Sequence, residues 1–216
     1  METRRLAIFD FDDTMVKGDS ITDFVRCMWE KKQISPPRLG VIMLCTLLWL
    51  LRLMPVEKVK NQSLAPLKKL DEGEAAELCK AFVAQRLVPR LFPPALKKMQ
   101  EHHASGDLVL LVSASPACYL SHIQDFLPVD AVLATPTDQD YRVTINVRGE
   151  EKVRQVKKWL DDQAIIPDWG NSWAYGDSRS DLPVMLLTGN PCLVNASPSV
   201  LKAAPHLPRL CWENQE

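Results

Sequence analysis

Five short apolar runs place the strongest constraint on how this chain can fold. They show little alternation of polar and apolar residues, which is typical of strands covered on both faces of a sheet. Helical patterns lie between most of the runs, at residues 94–103, 117–127 and 150–161. This order of strand, helix and strand predicts an α/β fold with a doubly wound parallel sheet. The five runs are Leu6–Phe11, Leu108–Ser113, Ala131–Thr135, Ser172–Tyr175 and Cys192–Asn195.

The long interval between the first two runs departs from this order. Residues 17–92 contain only helical patterns, and prolines stand at several of the breaks between them. Ser20 is predicted to cap the first of these helices, with Asp23 three positions later. We therefore predict an inserted helical cap domain of residues 17–92 in an α/β core of residues 1–16 and 93–216.

One segment of the predicted cap is unusually apolar. Leu39–Leu51 carry no charge, and Arg38 and Arg52 flank them. A run of this length is too short to span a bilayer as a helix, which needs about 20 residues. Two interpretations of residues 39–53 remain open: a buried helix of the cap, or a peripheral contact with a membrane surface.

Charge and cysteine usage narrow the class of function. The chain of 216 residues has a formal net charge of −1 and no basic stripe, so nothing favours a nucleic-acid partner. Its six cysteines form no CxxC pair and no zinc-type set with histidine. We expect reduced thiols in a cytoplasmic protein, since the polar N-terminus leads into a strand without a signal-peptide pattern.

Polar side chains follow three of the apolar runs, where the strands are predicted to end. Asp10 and Asp12 close the first run, Ser113 ends the second, and Asp177 follows the fourth. Lys152 begins the helix before that fourth strand. Because the carboxyl ends of parallel strands meet at one edge of a sheet, we expect these residues to lie together. Several carboxylates in one crevice favour a bound Mg²⁺, with Asp10, Asp12 and Asp177 as its predicted ligands.

A phosphoryl group is the substrate that best fits this edge. Asp10 is the candidate nucleophile and would become an aspartyl phosphate. Asp12 is the candidate general acid and base. The Ser113 hydroxyl, the backbone N–H of Ala114 and the Lys152 ammonium are the candidate phosphate-binding groups.

Asp181 has two interpretations. In one, its carboxylate orients Lys152 or a water molecule on the metal ion, from just outside the reacting groups. In the other, it is only an acidic residue at the start of the helix that follows, a position that the helix dipole favours. The sequence predicts the first role.

Four segments resemble the motifs of the haloacid dehalogenase superfamily of phosphatases, and the resemblance covers nearly the whole chain. FDFDDT is similar to the first motif, LVSAS to the second, EEK to the third and YGDSRSD to the fourth. The helical insertion after the first motif resembles the cap of the phosphoserine-phosphatase-like branch, subfamily IB. This resemblance implies a Rossmann-like core and magnesium-dependent hydrolysis of a small phosphomonoester, such as phosphoserine. Asp12 argues against dehalogenase chemistry, because true dehalogenases of the superfamily lack this second aspartate.

The resemblance also implies a role for Asp19. It stands nine residues after the nucleophile, where phosphoserine phosphatases have a glutamate that contacts the substrate's amino group. Its side chain is one methylene shorter, and helix capping is the alternative role. This difference and the apolar residues 39–53 leave open a phosphatidylglycerophosphate or other lipid-phosphate phosphatase with its cap at the membrane surface. A phosphotransferase and a non-catalytic binding module are the remaining alternatives.

Overall fold

The structure, a computed structural model, describes residues 2–212 of the chain. Its strands, in chain order, are β1 (Glu2–Arg4), β2 (Leu6–Phe9), β3 (Leu108–Pro116), β4 (Ala131–Thr135), β5 (Ile165–Pro167), β6 (Trp173–Gly176), β7 (Asn190–Val194) and β8 (Arg209–Leu210). Six of them form a parallel sheet in the order β4-β3-β2-β6-β7-β8, while β1 pairs with β5. The predicted α/β fold is confirmed, and each of the five apolar runs contributes a strand.

Helices lie between the strands, as the sequence pattern predicts. Four of them fall within residues 17–92, namely α1 (Ser20–Glu30), α2 (Pro36–Leu50), α3 (Val56–Leu64) and α4 (Glu72–Phe82). The others within residues 2–212 are α5 (Pro93–Ala104), α6 (Ala117–Leu120), α7 (Glu150–Asp162), α8 (Leu182–Met185) and α9 (Pro198–Ala203). α6 ends earlier than the predicted helix of residues 117–127, because a 3₁₀ turn follows it. A π-helical turn follows α4.

The sheet buries side chains on both of its faces. Along β2, Leu6 and Ile8 belong to one apolar cluster and Ala7 and Phe9 to another, because successive side chains of a strand point in opposite directions. The cluster of Leu6 and Ile8 continues into α7, α8 and α9. The cluster of Ala7 and Phe9 continues into α1, α3, α4 and α5. The helices between β2 and β3 therefore share a core with one face of the sheet.

The helical insertion, residues 17–92, meets α6 through an aromatic contact. The rings of Phe24 and Tyr119 stack with their centroids 5.0 Å apart, and Phe82 meets both rings edge-on. Such ring pairs stabilise a fold by about 0.5–1.5 kcal/mol beyond the burial of their area. Because α6 directly follows β3, this contact places the insertion over the carboxyl end of that strand. The division of the chain at residues 16 and 93 stays a prediction.

The two connections between the insertion and the sheet run beside each other in opposite directions. The Phe92 N–H donates to the Met15 carbonyl at 2.9 Å, and the Lys17 N–H donates to the Arg90 carbonyl at 3.2 Å. The Arg90 guanidinium also donates to the Lys17 carbonyl and pairs with Asp23 of α1. The insertion is therefore attached to the sheet at one double-stranded junction.

The start of α1 differs from the prediction. Asp19 rather than Ser20 is the N-cap residue, and its carboxylate accepts a hydrogen bond from the Thr22 N–H at 2.8 Å. Ser20 is the first helical residue and is buried. Its hydroxyl bonds instead to the hydroxyls of Ser115 and Tyr119. The Ser20 hydroxyl is occupied by these hydrogen bonds, and the carboxylate of the preceding residue, Asp19, accepts the N-cap hydrogen bond of α1 instead.

α2 is largely exposed, so the interpretation of residues 39–53 as a buried helix is wrong. Only Ile42 and Cys45 of α2 are buried, while Met43 and Leu50 are each 64% exposed. Within residues 2–212, no helix combines the length and the apolar character needed to cross a membrane. Peripheral contact with lipid through this segment stays a prediction.

Candidate active site

Three neighbouring strands bring polar side chains to one edge of the sheet. Phe9 of β2 is paired with Leu111 of β3 on one side and with Tyr175 of β6 on the other. The next residue, Asp10, still donates its N–H to the Tyr175 carbonyl at 2.9 Å. Its backbone is thereby fixed where the strand ends, between the polar segments of β3 and β6.

Asp10, Asp177 and Asp181 form an acidic cluster at this edge. One carboxylate oxygen of each lies within 4.8 Å of the others. Asp12, which was also predicted to bind the metal, has its carboxylate hydrogen-bonded outside this cluster. The structure thus brings together two of the three predicted ligands, Asp10 and Asp177, and adds Asp181.

Lys152 bridges two members of the acidic cluster. Its ammonium donates to the Asp181 carboxylate at 2.6 Å and also to the Asp10 carboxylate, and its side chain is 2% exposed. It lies in the first turn of α7, which begins after Gly149 in a positive-φ conformation (φ 60°) that favours glycine. Burial lowers the pKa of Lys152, but the two carboxylates outweigh that effect and raise it above the ordinary lysine value. The lysine is therefore held as a cation.

Asp181 connects Lys152 to Ser178 through hydrogen bonds. One of its oxygens accepts from Lys152, and the other accepts from the backbone N–H and the hydroxyl of Ser178 at 3.0 and 2.6 Å. It approaches so closely that a Cβ at Gly176 would lie 2.6 Å from the Asp181 Cβ. A glycine is required there for the carboxylate to reach the lysine. These contacts match the predicted positioning role, which stays a prediction.

Within residues 2–212, Lys152 is the one cation that pairs with this cluster of three carboxylates. Burial, with Asp181 next in importance, raises the pKa of Asp10 to about 6. Burial, followed by Asp10 and Asp181, raises the pKa of Asp177 to about 8. Among residues 2–212, no group hydrogen-bonds to the Asp177 carboxylate. Oxygens with this excess negative charge are suited to a divalent cation.

Asp12 belongs to a separate hydrogen-bond network. Its carboxylate accepts from the Ser20 N–H at 2.7 Å, from the Ser115 hydroxyl at 2.5 Å and from the Ser20 hydroxyl at 3.2 Å. Burial, followed by the negative charge of Asp19, raises its pKa to about 7. A carboxyl group with a pKa near neutrality is suited to both donating and accepting a proton. Ser20 and Ser115 were not predicted as site residues.

The predicted phosphate-binding residues lie in an irregular part of β3. The register of β3 against β4 shifts between Ser113 and Pro116, so the strand continues past its predicted end. The Ser113 hydroxyl accepts from the Ser115 N–H at 3.0 Å. The Ala114 carbonyl accepts from the Thr135 hydroxyl at 2.6 Å. The backbone of this segment is thus held rigidly next to Asp10, and its contact with phosphate stays a prediction.

Comparison with known protein families identifies the family to which this chain belongs. The profile of the haloacid dehalogenase-like hydrolases matches residues 7–186. The chain belongs to this family. The predicted membership of the superfamily is confirmed, and so is the prediction of an enzyme of the phosphatase type. The phosphoserine-phosphatase-like branch stays a prediction.

Relatives of this haloacid dehalogenase-like hydrolase match it over most of its length. The histidinol-phosphatase of Neisseria meningitidis serogroup C (strain 8013) is 24% identical over 222 residues, which cover 93% of this chain and 95% of that protein. A structure of a protein of unknown function from Bordetella pertussis Tohama I has a TM-score of 0.85 at 25% identity, covering 97% and 99% of the two chains. A phospho-aspartyl intermediate analogue of phosphoserine phosphatase has a TM-score of 0.66 at 19% identity, covering 100% and 96%. The last likeness shows a shared fold.

Lys60 contacts the segment of Ala114, a candidate phosphate-binding residue of this hydrolase, and was not predicted from the sequence. It lies on α3 in the helical insertion, is 6% exposed, and donates to the Ala114 carbonyl and to the Asn146 side chain. Burial lowers its pKa to about 8, although Asp12 and Asp19 act in the opposite direction. The signal was available, because Lys60 stands four residues before the buried Leu64 on the face of α3 that packs inward.

Asp19 is the N-cap residue of α1 and a predicted substrate contact, and substitutions at this residue separate the two roles. We expect Asp19→Ala to lower the free energy of unfolding by about 0.5–2 kcal/mol, because the Thr22 N–H loses its acceptor. Asp19→Asn should keep most of that stability, since asparagine caps a helix about as well as aspartate. Urea denaturation measures both values. Equal stability of the two variants would show that the cap contributes nothing.

Catalysis by the same pair of variants reports on substrate contact. If the Asp19 charge binds a cationic group of the substrate, both variants raise KM, because both remove the charge. A rise in KM for the alanine variant alone would instead trace the effect to the altered start of α1.

Proposed function

We propose that this hydrolase cleaves a small phosphomonoester with the help of Mg²⁺, through an aspartyl phosphate on Asp10. The observation that carries the proposal is the position of Asp10 at the end of a central strand. There it contacts the Lys152 ammonium and lies close to the Asp177 carboxylate, which has no hydrogen-bond partner among residues 2–212. A nucleophilic carboxylate beside a fixed cation and a metal-binding oxygen is the arrangement that phosphoryl transfer requires.

Asp10 keeps one oxygen available for attack. Its Oδ1 is bonded to Lys152, whereas its Oδ2 has, among the described residues, only a long contact of 3.5 Å with the Thr14 hydroxyl. In the first step, an Asp10 oxygen forms a bond to phosphorus while the bond from phosphorus to the ester oxygen breaks. The electron pair of that bond stays on the leaving alcohol oxygen, which must then take up a proton.

Asp12 is the group that supplies and later removes the proton. Its pKa near 7 means that the neutral acid is populated at physiological pH. It gives its proton to the leaving oxygen in the first step. In the second step it takes a proton from the water that attacks phosphorus, and the bond to Asp10 breaks to restore the carboxylate. Ser20 and Ser115 orient the Asp12 carboxylate for both transfers.

The residues of the cluster fit a magnesium ion. Asp10 and Asp177 would hold it through oxygens that lack strong partners, and Asp12 is the third ligand that the sequence predicts. When bound, the ion would supply positive charge that offsets the repulsion between a carboxylate and a phosphate dianion. Ser113, the Ala114 N–H and Lys152 would bind the phosphate oxygens, and Asp181 would keep Lys152 aligned.

The helical insertion would select the substrate. Asp19 and Lys60 both belong to it, and the negative charges of Asp12 and Asp19 act to raise the pKa of Lys60. The insertion therefore contributes one acidic and one basic side chain in the neighbourhood of Asp12. A substrate with an amino group near its phosphate, such as phosphoserine or the phosphate ester named for the Neisseria relative, suits an acidic residue at Asp19. A lipid phosphate is the second candidate, which the exposed apolar residues of α2 favour.

Phosphate release from a substrate panel tests this function. With Mg²⁺ present, we expect the highest kcat/KM for soluble esters with an amino group, such as phosphoserine and histidinol phosphate, above glycerol 3-phosphate and lysophosphatidate. Chelation with EDTA should lower the rate at least about a hundredfold, and added Mg²⁺ should restore it.

Each alternative gives a different result in this assay. A preference for lysophosphatidate supports a lipid-phosphate phosphatase. Formation of a new phosphate ester when a second alcohol is added indicates a phosphotransferase. If no substrate is cleaved although Mg²⁺ binds, the protein is a binding module and the proposed function is wrong.

A further inference from the structure

The helical insertion carries a concentrated apolar surface that no part of the described chain covers. Of the twelve large hydrophobic residues that are at least 40% exposed within the described residues, seven fall between residues 41 and 53. We call these seven the α2 surface. Its members are Val41, Met43, Leu44, Leu47, Leu50, Leu51 and Leu53. Single exposed hydrophobic residues are ordinary, but a contiguous group of this size marks an interaction site.

Helical geometry shows that most of the α2 surface faces one way. At about 100° per residue, Met43, Leu47 and Leu50 lie within one stripe of the helix, with Leu44 and Leu51 beside it. Ile42 and Cys45, the two buried residues of α2, lie on the opposite side. The helix is therefore anchored by one face and presents the other, with Leu50 at 64% exposure, away from the molecule.

The segment around this surface is positively charged. Residues 31–58 contain five basic residues and one acidic residue, Glu57, which gives a local charge of +4 in a chain whose net charge is −1. Within residues 2–212, none of the five forms an ion pair with another side chain. The five are Lys31, Lys32, Arg38, Arg52 and Lys58.

This charge determines which partner fits. A second copy of the chain, docked through the same surface, would bring two segments of charge +4 together and would be repelled. An anionic lipid surface complements both properties, because acyl chains accept the leucines while headgroups attract lysine and arginine. The 15 residues of α2 are too few to span a bilayer, so the helix would lie in the plane of the interface.

We propose that the α2 surface docks this hydrolase on membranes that contain anionic phospholipids. Arg52 is exposed just after the last turn of α2 and stands between Leu51 and Leu53. Its long side chain can reach headgroups while the leucines enter the acyl region. This docking does not depend on the proposed reaction or on the nature of its substrate.

Vesicle flotation tests the proposal. We expect the full chain to float with vesicles of phosphatidylcholine and phosphatidylglycerol in equal amounts, about tenfold more than with phosphatidylcholine alone. High salt should reduce this binding, because it screens the lysine and arginine charges. Failure to float with the anionic vesicles, or equal flotation with both kinds, overturns the proposal.

Matched variants assign the binding to the surface. Leu47→Glu and Leu50→Glu together should abolish flotation, because both side chains are exposed and glutamate suits a helix. Leu186→Glu, at a site 59% exposed elsewhere on the molecule, should leave flotation unchanged. Thermal unfolding checks that all variants are folded. If the control variant loses flotation equally, the binding does not belong to the α2 surface.

A second copy of the chain is the competing partner for the α2 surface, and its binding would change the oligomeric state. Light scattering after gel filtration would show a dimer for the wild type and a monomer for the Leu50→Glu variant if a second copy covers this surface. That result overturns the lipid proposal. A monomer in both cases, together with flotation of the wild type, supports it.

Discussion

Asp10→Asn should lower the turnover of a generic aryl phosphate by at least about a thousandfold, because an amide cannot form the aspartyl phosphate. The folded state should survive the change. Lys152 keeps its partner Asp181, and the amide oxygen still accepts a hydrogen bond from Lys152. Steady-state kinetics at saturating Mg²⁺ measure the loss. A variant that keeps a tenth of wild-type activity would remove Asp10 from the role of nucleophile.

The stability of the same variant should move in the opposite direction. Burial raises the pKa of Asp10 to about 6, so above that pH the folded state holds a carboxylate that would ionise more readily in the unfolded chain. Ionised Asp10 therefore costs stability at neutral pH, and the amide removes that cost. In the presence of EDTA, we expect the unfolding midpoint of Asp10→Asn to equal or exceed that of the wild type.

Asp130→Asn is a matched control for this prediction. Asp130 lies at the opposite end of the sheet, just before β4, where its carboxylate accepts from the Val109 N–H at 2.7 Å. An asparagine there retains an acceptor oxygen for this N–H. Activity should stay within about twofold of the wild type, since surface changes away from a site have small effects.

Lys152→Met is expected to be the most destabilising single change at the site. It leaves the carboxylates of Asp10 and Asp181 buried without their shared cation, and removing one partner of a buried ion pair costs about 3–5 kcal/mol. Activity should fall together with stability, because the phosphate oxygens lose the same ammonium. Urea denaturation at pH 7 measures the loss of stability. Lys157→Met, at an exposed position of the same helix, should change stability by less than about 0.5 kcal/mol.

The pH dependence and a double variant sharpen the test. The folded pKa of Lys152 lies above its unfolded value, so its contribution is complete below the ordinary lysine pKa and is lost only in strongly alkaline solution. The wild type should therefore keep this stabilisation at pH 9. Lys152→Met combined with Asp181→Asn should be less destabilised than the sum of the single variants, because the two groups are coupled. Strict additivity would argue against a shared ion pair.

The sequence predicted the sheet edge because burial and strand order leave strong local signals. Asp10, Lys152 and Asp177 are far apart in the chain, yet each follows a buried strand or begins a helix, and topology alone brings such positions together. By contrast, β1, β5 and β8 were not predicted, because strands of two or three residues acquire their pairing only from neighbouring strands.

The sequence pattern did not predict the contacts between the helical insertion and the sheet. Lys60 meets partners 54 and 86 residues away, and that pairing depends on how the helices sit over β3. The direction of the Asp12 carboxylate was missed for the same reason, because Ser20 reaches it from α1. For α2, hydrophobicity alone did not distinguish a buried helix from an exposed one, since apolar residues occur all around it.

Lys60 also links the movement of the helical insertion to the sheet. It ties α3 to the Ala114 carbonyl and to Asn146, so any displacement of the insertion away from β3 must break both contacts. If exchange of substrate and product requires such a displacement, its frequency sets an upper limit on turnover.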